Sequence, residues 1–206
     1  SLKKINKDNI HKLELAWSYK SQDGKKSIQA NPVVKDGLIY FPTPGNFIVC
    51  LDGSTGDEIW KFKVSKGFWA AKRGLLIWSD KKNKKDIIFF SNDDQLYALD
   101  AKTGNPIESF GKNGIIKIGS SPTVPVIIDE QLIIASTKPS IEVYDIYNGE
   151  VKYKFYLRKI ENELINSRDF QGGTPWGGIS ADRKKGIIYL TTGNAKPVYV
   201  GITRPG

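Results

Sequence analysis

The sequence predicts an all-β chain assembled from repeated four-stranded antiparallel units, and three observations predict it. The 206 residues are 39% hydrophobic and 11% aromatic, with Val and Ile plentiful, which favours strands over helices. Short apolar runs alternate with turn residues, and 20 glycines and 10 prolines supply the turns. Above all, residues 50–60, 98–108 and 143–153 superpose without gaps, and their turn glycines, Gly56, Gly104 and Gly149, lie 48 and 45 residues apart. Four strands in a period of this length is the signature of a β-propeller blade. A sandwich of short strands would not repeat one turn at one phase.

The elements follow in order. Residues 13–19, with Trp17 and Tyr19, read as a lone outermost strand from another blade. The first unit then opens with Pro32-Val33-Val34, and Leu38-Ile39-Tyr40-Phe41 follows the turn Lys35-Asp36-Gly37. The second opens with Gly74-Leu75-Leu76-Ile77-Trp78 and continues with Asp86-Ile87-Ile88-Phe89-Phe90. In the third, Val124-Pro125-Val126-Ile127-Ile128 precedes Leu132-Ile133-Ile134-Ala135. Two more strands flank each repeated glycine. Residues 187–192 read as the second strand of a fourth unit whose glycine turn is not reached. The expected blades are 28–64, 73–111, 120–157 and a partial 174–206, within one propeller domain. The fold class is therefore a partial β-propeller of four-stranded antiparallel blades, about three whole blades plus parts of two.

The repeated turn has a legible physics. An apolar strand ends in Asp52, Asp100 or Asp145, whose carboxylate can accept turn amides. Gly, four residues on, takes the left-handed conformation that lets the chain reverse. Trp60, Glu108 and Tyr153 stand four residues after the glycines. An aromatic there can cover the neighbouring repeat. Glu108 cannot, so that contact is expected to be weak or absent in the middle repeat, with Glu108 solvated.

Charge and single residues narrow the function. The net charge is +9, which raises nucleic acid as a partner. The basic residues, however, are scattered through polar turns such as Lys81-Lys82 and Lys184-Lys185, without interleaved aromatics. They read as solvated hairpin tips, and no nucleic-acid partner is expected. The single cysteine, Cys50, excludes an internal disulfide and sits in a strand pattern. His11, the only histidine, leaves no histidine-based metal site or triad within the chain. No apolar run reaches the roughly 18 residues that a spanning helix needs, and no signal-peptide pattern is read in these 206 residues. The chain begins on Ser and breaks off after Arg204-Pro205-Gly206, as expected of a piece of a longer protein.

The most informative stretch is Gln171-Gly172-Gly173-Thr174-Pro175-Trp176-Gly177-Gly178. Four glycines around one tryptophan remove side-chain bulk and permit unusual backbone angles. Trp176 is left as a large flat face, which suits a stacking floor for a planar ligand.

The repeated Asp-x-x-x-Gly-x-x-x-Trp pattern resembles the tryptophan-docking repeat of the quinoprotein dehydrogenases, which use pyrroloquinoline quinone (PQQ) on an eight-bladed propeller. The resemblance extends to Gly172-Gly173-Thr174, Trp176-Gly177, Asp182, Gly186, Tyr189, Thr192-Gly193-Asn194, Pro197 and Arg204-Pro205-Gly206, and upstream to Leu15-Ala16-Trp17, Ala30-Asn31-Pro32 and Arg73-Gly74. It covers nearly the whole chain. It implies that Trp176 stacks under the quinone, that Arg73 pairs with a quinone carboxylate, and that Ser120 or Ser121 contacts the cofactor. It also implies that Asn194 is an amide-oxygen ligand of a calcium ion. Arginine suits its role because its planar fork binds a carboxylate at two points, and calcium prefers oxygen donors.

Departures matter as well. Phe68, Trp69, Ala70 and Ala71 stand where some members carry adjacent cysteines. The third repeat is short at residues 136–140, where methanol-oxidising relatives place a calcium-ligating glutamate. Glu142 lies nearby on the strand pattern and is a poor substitute. These absences point towards the glucose-dehydrogenase-like branch. The family's catalytic aspartate belongs to a later blade. The implied parent is a periplasmic dehydrogenase oxidising an alcohol or sugar hydroxyl. It would pass electrons to a cytochrome or ubiquinone, with membrane association of the parent possible, and the 206-residue piece alone is expected to be inactive. The alternative from another class is a non-enzymatic propeller scaffold of the outer-membrane assembly type.

Overall fold

The computed structural model describes residues 4–24, 28–64, 73–137, 140–157, 173 and 175–193. Among them the only helical element is a 3-10 turn at Ile10–Lys12; everything else regular is strand. The first sheet contains β1 (Val33–Lys35), β2 (Leu38–Pro42), β3 (Phe47–Asp52) and β4 (Glu58–Lys63). The second contains β5 (Leu76–Asp80), β6 (Lys85–Asn92), β7 (Gln95–Asp100) and β8 (Ile115–Lys117). The third contains β9 (Val126–Ile128), β10 (Gln131–Ser136), β11 (Ser140–Asp145) and β12 (Val151–Tyr156). Each is a four-stranded antiparallel meander in chain order. A hairpin of β13 (Ile179–Asp182) and β14 (Ile187–Leu190) begins a fourth sheet. Gly56, Gly104 and Gly149 all fall between the third and fourth strands of their sheets, as expected.

Strand alternation stacks the sheets face to face. Tyr40, Ile48 and Cys50 of the first sheet meet Ile88, Phe90, Tyr97 and Leu99 of the second. The neighbouring residues Ile87, Phe89, Leu96 and Ala98 point the other way and meet Ile127, Leu132, Ile134 and Tyr144 of the third. Ile133, Ala135 and Ile141, on the third sheet's far face, meet Ile179, Ile188 and Leu190. A sheet buried on both faces explains the unbroken run Ile87-Ile88-Phe89-Phe90. A slip of one residue would exchange the two cores, so register is strongly specified.

The three turns share one hydrogen-bond network. Asp52, Asp100 and Asp145 each accept two amides two and three residues ahead, Asp52 at 2.7 and 3.1 Å. The amides of Gly56, Gly104 and Gly149 donate back to the Asp carbonyls at 2.8, 2.8 and 3.0 Å. The glycines have φ of 79, 74 and 73°. They are needed for space as well as for angle. A Cβ on Gly56 would stand 2.6 Å from the Trp17 ring, and one on Gly104 2.6 Å from the Trp60 ring. Each indole also donates into the turn it covers, Trp17 to Gly53 O at 3.1 Å and Trp60 to Ala101 O at 3.0 Å. Tryptophan is thus both lid and donor.

Residues 13–19, expected as a lone outermost strand of another blade, pair with no strand among the described residues; Trp17 and Tyr19 seat the segment through their side chains, Tyr19 lying edge-on to Phe41 at 5.8 Å. Two expectations need correction. The second blade runs past residue 111, because β8 begins only at Ile115. Pro106 has no amide for the ladder, so after a single bridge to Leu99 the chain leaves the sheet and loops round. Finally, the docking contact of the middle repeat is not missing. Glu108 is exposed, as expected, but the detour places the fully buried Phe110 over the third turn. A Cβ on Gly149 would meet Phe110 at 3.2 Å and Ile116 at 2.6 Å, while Gly111 N–H donates to Asn148 O at 2.8 Å. Tyr153, at the docking position of the third repeat, is 60% exposed, alongside exposed Val151 and Phe155.

Candidate functional site

The segments leading into the innermost strands gather at one end of the sheets. A Cβ on Gly74, just before β5, would lie 3.4 Å from Val124 Cγ2 before β9 and 3.7 Å from Asn31 O before β1. β13 lies against β9, so the segment carrying Trp176 joins the same series. Arg73 is exposed beside Gly74. Ser120 is exposed three residues before Thr123 and close in sequence to Val124. The topology therefore brings the stretches bearing Arg73, Ser120 and Trp176 to neighbouring positions, although 103 residues separate Arg73 from Trp176 in sequence.

Trp176 is 49% exposed. Its loop owes its shape to glycine: Gly173 and Gly178 have φ of 65 and 89°, and the preceding Pro175 is buried. A Cβ on Gly177 would stand 2.7 Å from Thr191 Oγ1. The chain leaving β14 towards Thr192-Gly193 therefore runs directly beside the tryptophan loop. Asn194, the next residue, lies outside the described residues, as do Gly172 and Thr174 and the segment from 65 to 72.

The two serines are placed differently. Ser121 is buried, and its hydroxyl donates to Ala135 O at 2.7 Å and lies 3.1 Å from Thr123 Oγ1. Those bonds occupy it in holding the fold. Ser120 presents its side chain to solvent while its carbonyl accepts from Thr137 N–H at 2.7 Å. Of the pair, Ser120 is the one free to meet a ligand.

Glu142 is the feature that sequence reasoning undervalued. Its carboxylate is buried in mid-strand. It accepts from Gly119 N–H at 2.8 Å, Lys154 Nζ at 2.6 Å, Ser140 Oγ at 3.3 Å and the Tyr144 hydroxyl. Burial alone would raise its pKa, but the Gly119 amide, Lys154 and Tyr144 outweigh that and hold the carboxyl below its ordinary value. A carboxylate so fully engaged has nothing left for a metal. Among the described residues no group of three His, Cys, Asp or Glu side chains could hold one. The signal available in sequence was a charged residue at an inward-facing strand position, which demands partners.

The depressed carboxyl has a pH consequence. Its folded pKa lies below the unfolded one, so its stabilising contribution is complete above about pH 4.3 and is lost as pH falls through the lower folded value. Unfolding by urea between pH 7 and pH 3 should therefore show a steeper acid loss of stability in the wild type than in Glu142→Gln. Parallel profiles would contradict the assigned ion-pair cluster.

Comparison with known proteins decides the family. The whole chain, residues 1–206, matches the family described as PQQ, glucose/ethanol/alcohol dehydrogenase, β-propeller domain. The chain belongs to this family. It is 27% identical over 236 residues to the quinohemoprotein alcohol dehydrogenase ADH IIB of Pseudomonas putida, covering 100% of this chain and 33% of that protein. It is 29% identical over 248 residues to methanol dehydrogenase [cytochrome c] subunit 1 of Methylorubrum extorquens, covering 100% and 39%. The crystal structure of quinohemoprotein alcohol dehydrogenase from Comamonas testosteroni superposes with a TM-score of 0.72 at 24% identity, over 94% of this chain and 33% of that one. That likeness shows the fold. The chain spans about a third of the length of the relatives it matches. These relatives are alcohol and methanol dehydrogenases by name, and the description of the matching family also includes glucose dehydrogenases.

Proposed function

We propose that this chain forms part of the PQQ-binding propeller of a periplasmic dehydrogenase that oxidises a small alcohol. The observation that carries the proposal is the half-exposed Trp176. It stands in a glycine-framed loop at the end where the segments leading into the innermost strands converge. A non-enzymatic scaffold could share the fold but has no use for an open indole among glycines there. The family match over the whole chain and the alcohol-oxidising relatives support the dehydrogenase reading.

In this account Trp176 is the floor on which a planar tricyclic ring lies, held by dispersion and offset stacking. Arg73 meets a carboxylate of the ring system with its guanidinium fork, and Ser120 offers a hydroxyl. PQQ, when bound, supplies the two-electron acceptor that the side chains themselves lack. Calcium is a different matter. Asn194 is its only expected ligand in the chain, because the Glu142 carboxylate is fully engaged elsewhere. A cytochrome c or a quinone would re-oxidise the cofactor, the former by analogy with the name of the methanol-oxidising relative.

Alcohol-dependent dye reduction tests the proposal. The full-length parent, given PQQ, should reduce an artificial acceptor with ethanol or another short alcohol, and Trp176→Ala should weaken PQQ binding about tenfold or more. The 206-residue chain alone should show no turnover, because the general base is expected on a later blade. PQQ-independent activity of the parent, or turnover by the isolated chain, would contradict this reading.

A further inference from the structure

We propose that Glu142 is a positioning residue for the cofactor site, acting through Gly119 to fix the strap that presents Ser120. The inference rests on the PQQ reading above and extends it to a residue on the third strand of a blade, away from the ligand itself.

The strap is residues 118–123, which carry the chain from β8 of the second sheet to β9 of the third. Its backbone is fastened on both sides. Ile118 N–H donates to Asp94 O at 2.8 Å and Ser121 N–H to Asp93 O at 2.9 Å, both in the turn between β6 and β7. Ser120 O accepts from Thr137 N–H at 2.7 Å, and Ser121 Oγ donates to Ala135 O at 2.7 Å, at the end of β10. Between these ties Gly119 N–H points at Glu142 Oε2, 2.8 Å away. No larger residue fits at 119, since an added Cβ would collide with Ser136 Oγ and stand 2.6 Å from Glu142 Oε1.

A buried carboxylate inside a sheet is costly unless every lone pair is directed. Here Lys154 from β12, Ser140 and Tyr144 orient it from its own sheet, and the remaining direction is given to the strap. The result is a rigid path from Lys154 through Glu142 to Gly119, one residue from the exposed Ser120. An amide held by an ionised acceptor is held more tightly than by a neutral one, and rigid support of this kind is what keeps a contact group within productive reach.

The test uses Glu142→Gln, with Lys154→Gln as a milder second variant, in the full-length parent. Hydrogen exchange should speed up about tenfold or more at Gly119 and its neighbours in Glu142→Gln, and by less in Lys154→Gln, while core amides of β6 and β7 are unchanged. PQQ affinity, read by quenching of tryptophan fluorescence, should fall about tenfold in Glu142→Gln but no further when Ser120→Ala is already present, because the two act in series. Uniformly faster exchange across the sheets would overturn the proposal, and so would unchanged PQQ affinity or simply additive losses. Absence of PQQ binding by the wild type would overturn the PQQ reading and this role with it. It is told apart from the other failures because the Gly119 exchange comparison needs no ligand.

Discussion

Phe110→Ala should destabilise the protein by about 3–5 kcal/mol, the usual range for a buried aromatic truncated in a packed core. Phe110 is fully buried, touches Phe89 ring to ring at 5.5 Å, and closes over the Gly149 turn. Trp60→Ala should cost about 3 kcal/mol, at the low end because the indole is only partly buried, although it also loses the Nε1–H bond to Ala101 O. Glu108→Ala should stay within about 0.5 kcal/mol, since Glu108 is exposed. Urea titration of the three variants measures this directly. A large loss at Glu108 with a small one at Phe110 would restore the docking role to the position that sequence periodicity picked out.

The second large effect is at the turns. Gly37 and Gly104 both have positive φ, 81 and 74°, but nothing lies within 4 Å of a Cβ placed on Gly37, whereas one on Gly104 would meet Trp60 at 2.6 Å. Gly37→Ala should therefore cost only the left-handed strain of about 1–2 kcal/mol. Gly104→Ala adds displacement of the docked indole, about 1–3 kcal/mol more. The difference between the two melting shifts isolates the docking interaction from the backbone. Equal shifts would mean that Trp60 is not seated on the turn.

The blades were legible in sequence because their turn chemistry is local. Asp52, Gly56 and their equivalents act within a few residues, so one repeat predicts the next. Phe110 was not legible, because it docks from a detour set up by Pro106 and falls two residues outside the repeat's phase. The seat of Trp17 was not legible either: its side chain contacts Gly53 and Gly56, 36 and 39 residues further along the chain. At the candidate site, Trp176 stands out in sequence because bulk is absent around it. Glu142 could not, because its partners Gly119 and Lys154 come from 23 residues before and 12 after, and only pairing of β11 with β12 and the crossing of the strap bring them together.

A crystal structure of the full-length parent with PQQ bound tests the central claim most directly. The tricyclic ring should lie on the indole of Trp176 at van der Waals distance, with the Arg73 guanidinium on one of its carboxylates. A ring bound elsewhere, or Trp176 sealed between sheets with Arg73 turned to the opposite face, would contradict it.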